Sequence, residues 1–283
     1  MPDTSGEGLP GQQPGEPRPV PPPGAGLPGY PGRPGPALAY AGAPTTYLEA
    51  LEEGRALVPP RWGLKDVFVA ILVALVVPTI VLGFVLAAGA PRGGGVVLLA
   101  SLALPWLGFG LYPWIATRLQ GNGPRLDLGF TFRLSDLGWG IGGGIAATVL
   151  AGLVANLTER VFGSFDSAAG EAISNVEAPR WVLYAALVCA VVGAPLFEEL
   201  CFRGLAFAAI AKWADAHRMP GVPWATVGSA FLFGAIHLEP VRFPLLFVIG
   251  LVLSFLRART GRVGASVVAH AFNNLIAVSS LFG

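Results

Sequence analysis

Charge is what this chain has least of. Asp, Glu, Lys and Arg together make up 12% of its 283 residues, against roughly 25% in soluble domains. Such a surface is poorly suited to water, and a hydrophobic content of 53% with a mean hydropathy of +0.63 points to a membrane. The net charge is only +1 and no basic stripe is present, so nothing suggests a nucleic-acid partner. Cysteine is nearly absent. Cys189 and Cys201 lie in or beside one apolar segment, where a helix rising 1.5 Å per residue holds them ~18 Å apart. They cannot pair, and no disulfide framework or cysteine-based metal site follows. No H-E-x-x-H helix occurs, so the strongest zinc signal is missing. No repeat relates the two halves, which weakens a transporter reading.

What the chain does have is divided sharply near residue 65. Residues 1–44 hold about half of the 26 prolines and cannot bury enough apolar surface to offset the entropy of ordering. They read as a disordered Pro/Gly-rich tail. They also lack the basic start and continuous apolar core of a signal peptide. Residues 45–65 read as a short interfacial helix and linker. Thr46-Tyr-Leu-Glu49 resembles a capping box, Pro59-Pro60 stops the helix, and Arg61, Trp62 and Lys65 suit a membrane interface.

From residue 66 to 283 the pattern is all-α, a polytopic transmembrane helix bundle of seven to eight spans. Val67–Ala90, Val96–Ala116, Trp139–Leu157, Trp181–Phe197, Trp224–Ile236, Phe243–Leu256 and Val263–Phe282 are apolar enough to cross. Leu205–Ala211 is a doubtful eighth. Gly140, Gly144, Thr148 and Gly152 place a small residue every fourth position, a face for close helix packing.

Arg55, Arg61 and Lys65 precede the first span, and Arg118, Arg125 and Arg133 follow the second, against Arg92 alone between the two. The positive-inside rule then puts the N-terminus in the cytoplasm. Arg257, Arg259 and Arg262 should lie inside too, yet eight full spans would put them outside. One segment in the region 200–240 must therefore fail to cross fully.

Polar residues inside the apolar segments carry the chemistry. Ionisable groups at membrane depth are expensive and are usually retained for function. Glu198 and Glu199 end one long apolar run. Glu199 and Arg203, four apart, face each other on a helix, while Glu198 points about 100° away. One carboxylate can therefore hold the arginine while its neighbour acts as a base. The bland alternative is an ion pair at a span boundary. His237 ends Phe231-Leu-Phe-Gly-Ala-Ile-His237 and, alone, reads as an interfacial structural histidine. His270 and Asn274 share a helix face well inside a span, as hydrogen-bonding glue between helices or as a site. His217 lies in a polar loop and is assigned no role.

Glu198-Glu-Leu-Cys-Phe-Arg203, Phe233-Gly-Ala-Ile-His237 and His270-Ala-Phe-Asn-Asn274 fit the patterns EExxxR, FxxxH and HxxxN, in that order on successive apolar helices. Together they resemble the CPBP family of intramembrane metalloproteases, which includes the Rce1-like CAAX prenyl endopeptidases and bacterial members. The resemblance covers about residues 137–283, the expected protease core. It implies that Glu198 and His237 activate the attacking water. His270 and Asn274 would stabilise the oxyanion, and Glu199 and Arg203 would hold the site. It also implies a divalent metal, Zn2+, on Glu198, His237 and His270 with water in the fourth position, although a metal-free Glu/His site would use the same residues. The expected protein is an integral, multi-pass protein of a bacterial plasma membrane. Its expected partners are membrane lipid and a membrane-associated peptide or protein substrate. The alternative is a non-catalytic membrane scaffold or an immunity or transport protein of the same fold.

Overall fold

The computed structural model describes residues 40–165 and 167–279, and within them every regular element is a helix. We number ten. Helix α1 is Thr45–Glu52, α2 is Leu64–Ala87, and α3 is Gly95–Gln120 with a π-helical turn at Leu107–Leu111. Helix α4 is Pro124–Asp127, α5 is Ser135–Phe162, and α6 is Ala168–Ser174. Helix α7 runs unbroken over Arg180–Ala216, through π-helical turns at Cys189–Gly193 and Leu200–Ala206. Helices α8 (Gly221–Ile236), α9 (Phe243–Thr260) and α10 (Gly264–Ser279) complete the set.

Five of these, α2, α3, α5, α7 and α9, are long and apolar enough to cross a membrane, and the chain is an integral membrane protein. Their outward faces remain apolar, with Phe68, Phe84, Ile145 and Leu153 all exposed. Two points differ from the sequence reading. The fourth expected span and the doubtful segment Leu205–Ala211 are one helix of 37 residues, so no eighth element exists there. Helices α8 and α10 have 16 described residues each, short of the roughly 20 that span a bilayer. The end of the expected span Val263–Phe282 lies outside the described residues, as do residues 1–39 of the expected tail. Residues 40–44 of that tail are packed against the bundle. Ala43 is buried, the Tyr40 ring contacts Tyr47, and a Cβ at Gly42, whose φ is +81°, would stand 3.0 Å from Ala211.

The segments before α2, between α3 and α5, and between α9 and α10 all meet at one end of the bundle. Thr45 N–H donates to Gly261 O at 3.0 Å, Val263 N–H to Gly129 O at 3.0 Å, and Arg262 pairs with Asp136 at 2.6 Å. Arg133 pairs with Glu49, and Lys212 donates to the Pro60 and Trp62 carbonyls while lying over the Trp62 ring. Burial pushes the Asp127 carboxyl above the usual carboxylate range, against the hydrogen bonds it accepts from Asn122 and Trp62. The arginines flanking these segments thus share one end, as the positive-inside rule requires of a single side.

Small residues let the helices touch. A Cβ on Gly108 would stand 2.3 Å from Ala70 O and 2.4 Å from Ala74 N, so α3 meets the α2 backbone directly. The expected outcome for Gly108→Ala is a loss of about 1–3 kcal/mol from overpacking. Unfolding of the detergent-solubilised variant measures it, and unchanged stability would show that the two helices can separate freely.

Candidate active site

Glu198, Glu199 and Arg203 come from the middle of α7, where the backbone passes from α to π geometry at Leu200. Such turns are rare and recur at functional sites. Helix α8 ends immediately before His237. Helix α10 brings His270 and, one turn later, Asn274.

The centre is a buried ion pair. Arg203 Nη1 donates to Glu199 Oε1 at 3.0 Å, with both side chains fully buried. The same oxygen accepts from His270 Nδ1 at 2.9 Å. Because Glu199 is ionised beside the arginine it can only accept, so Nδ1 of His270 carries the hydrogen. This leaves His270 Nε2 facing Glu198, 3.9 Å from its Oε2. That separation exceeds a direct hydrogen bond and suits one shared water. Unlike Glu199, Glu198 keeps 18% of its side chain exposed.

His237 is oriented by the same logic. Its Nδ1 lies 2.7 Å from Phe233 O, a carbonyl that can only accept, so Nδ1 carries the hydrogen and the Nε2 lone pair is free. The Phe233 ring joins the two histidines and the arginine. Its centroid is 5.0 Å from His237 and 5.4 Å from His270, and the Arg203 guanidinium lies 4.5 Å away over its face. Asn274 donates to Ala190 O at 2.9 Å, inside the first π-helical turn of α7. One amide hydrogen is thereby committed and the other remains.

Four supporting residues were not foreseen as such. Ser229 donates to Phe202 O at 2.8 Å, and Arg257 Nε donates to Arg203 O at 3.0 Å. These are carbonyls of the second π-helical turn, so side chains from α8 and α9 fix the backbone that carries the ion pair. Gly250 O receives Arg203 Nη2 at 3.0 Å, and Phe233 supplies the ring. Only Phe233 had a sequence signal, as the first residue of FxxxH. Ser229 and Gly250 gave none, and Arg257 was read only as one of three cations at a span end.

Among the described residues, no three His, Cys, Asp or Glu side chains are grouped to hold a metal ion. The donor types of Glu198, His237 and His270 suit zinc, and His270, whose Nδ1–H is held by Glu199, presents its Nε2 lone pair toward Glu198 3.9 Å away, as a histidine ligand would. No step below is routed through a metal. Beside the site, between α3 and α7, lies an apolar cavity of about 440 Å³ lined by Trp106, Trp114, Phe130, Phe197 and Leu200.

Residues 179–276 match the family model described as type II CAAX prenyl endopeptidase Rce1-like. The matched segment contains all seven fixed residues of the three motifs. A curated Bacillus subtilis (strain 168) protein, named "Putative membrane peptidase YdiL", is 28% identical over 161 residues. That alignment covers 56% of this chain and 59% of the relative, so the chain spans less than two thirds of the relative's length. No solved structure matches. Over residues 179–276, the chain is thus similar to the Rce1-like type II CAAX prenyl endopeptidases.

Proposed function

We propose that the chain is an intramembrane endopeptidase that cleaves a membrane-associated peptide or protein, with water activated by Glu198 and His237. The observation that carries this reading is a pair of acceptors, without a hydrogen-bond partner among the described residues, near one buried ion pair. Glu198 is a carboxylate with no committed partner, and His237 has a free Nε2. Either can take a proton from water as it attacks a peptide carbonyl. The oxyanion then needs donors. The second amide hydrogen of Asn274 is one, and His270 becomes the other when the proton that Glu198 takes from the water passes to its Nε2. Glu199 keeps His270 turned so that Nε2 faces the reaction. As the intermediate collapses and the C–N bond breaks, that proton goes to the leaving amine.

The relative's name, a membrane peptidase, supports the reaction class. The apolar cavity beside Phe197 suits an apolar flank of the substrate. The bacterial relative favours a bacterial plasma membrane, and the cationic end then faces the cytoplasm.

The test is cleavage of a membrane-anchored reporter peptide by the purified full chain in liposomes, before and after chelation, with bound metal quantified. Cleavage that survives complete metal removal is the expected result. Activity lost with stoichiometric zinc and restored by adding it back would replace this mechanism with a zinc site on Glu198, His237 and His270. No cleavage with any membrane-anchored peptide would return the chain to a scaffold role.

A further inference from the structure

Helices α5 and α9 leave between them an apolar groove of about 700 Å³, within the roughly 300–1,000 Å³ of ligand pockets. It is separate from the polar site. Gly138, Trp139 and Gly142 line it from α5, and Val252, Phe255 and Leu256 from α9. The glycines are informative. Gly140, Gly143 and Gly144 serve helix packing, because a Cβ on each would stand within 2.7 Å of Val268, Leu256 or Phe272. A Cβ on Gly138 or Gly142 would meet nothing within 4 Å. Each glycine costs a helix interior about 1 kcal/mol relative to alanine, and packing within the chain gives no return at these two. Their effect is to keep the groove floor open.

One end of the groove is cationic. Arg259 follows Val252 and Phe255 by seven and four positions, so it continues the same face of α9. It is exposed, and its guanidinium stands 5.7 Å from the Trp139 ring, which itself lines the groove. Arg262 nearby is already neutralised by Asp136, whereas Arg259 has no carboxylate partner among the described residues. The groove thus pairs an apolar trough with an unneutralised cation and an interfacial tryptophan, at the end of the bundle where the arginines gather.

We infer that this groove binds an acidic phospholipid, with an acyl chain along Gly138 and Gly142 and its phosphate on Arg259. Basic pockets between transmembrane helices on the cytoplasmic side bind anionic headgroups in this way. A second copy of the chain fits less well. Two copies inserted in the same direction would form a twofold interface that places the same patch against itself, bringing Arg259 against its own counterpart. The exposed Trp139, between the two glycines, would also obstruct the close backbone approach that such a glycine pair otherwise permits.

Native mass spectrometry of the full chain from mixed phosphatidylglycerol and phosphatidylcholine tests this. One phosphatidylglycerol retained per chain, in preference to phosphatidylcholine, is expected. Arg259→Gln should lower that preference about five-fold, the effect of one arginine near an anionic surface. Gly142→Leu should fill the groove and displace lipid of either kind, with thermal unfolding no lower than the parent because leucine is the better helix former. Equal retention of both lipids, or retention untouched by both variants, overturns the inference. So does a dimer that Arg259→Gln strengthens, since that outcome assigns the groove to a second copy.

Discussion

Glu198→Gln is expected to cut reporter cleavage by about 10²–10⁴-fold, the usual contribution of a general base, while leaving the fold unchanged. Glutamine keeps the shape and both hydrogen-bonding positions but cannot take a proton from water. Stability should hold because Glu198 is in neither the Arg203 ion pair nor the Glu199–His270 hydrogen bond. It is also partly exposed, so the new amide can be solvated. The measurement is a single-turnover rate beside a thermal unfolding curve. A rate within a few-fold of the parent, with the protein folded, would remove Glu198 from the chemistry. His237 Nε2 and His270 Nε2 would then remain as acceptors with free lone pairs among the described residues, and the carboxylate would be a solvated neighbour of the ion pair.

Some of this arrangement was legible in the residues and some was not. The four-residue spacing of Glu199 and Arg203 put them on one face, and they do pair. His270 was readable as a polar group needing a partner inside an apolar helix, but not that the partner is Glu199. Spacing within one helix says nothing about which neighbouring helix it meets. The doubtful segment Leu205–Ala211 is no separate element, for a physical reason. Glu199 and Arg203 neutralise each other in place and the helix runs on. The two π-helical turns have no local signature either. They hold because Asn274, Ser229 and Arg257, all distant in sequence, donate to carbonyls within them. Residues 40–44 were hidden by their likeness to the proline-rich run before them. It is their contacts with Tyr47, Ala211 and Arg257 that set them apart.

Glu199→Gln should instead unfold the protein easily, at a cost of about 3–5 kcal/mol, the usual penalty for removing one partner of a buried ion pair. Arg203 is fully buried. Without the carboxylate its charge would rest on Gly250 O, the Phe233 ring and the more distant Glu198 carboxylate. Its Nε already lacks a hydrogen-bond partner, as does Glu199 Oε2, so the pair has little reserve. Glutamine would still accept from His270 through its amide oxygen, so loss of that hydrogen bond cannot account for the effect. The double variant Glu199→Gln with Arg203→Met separates charge from shape. Methionine removes the stranded cation and fills much of its volume, so the double variant should recover a good part of the stability lost by Glu199→Gln alone. It should not recover activity, because an amide, unlike the carboxylate, does not stabilise His270 when its Nε2 takes up a proton. Chemical denaturation in detergent measures both variants. If Glu199→Gln unfolds at the parent's midpoint, the pair is not what holds α7 against α8 and α9. If the double variant is less stable than the single one, packing by the arginine stem outweighs its charge.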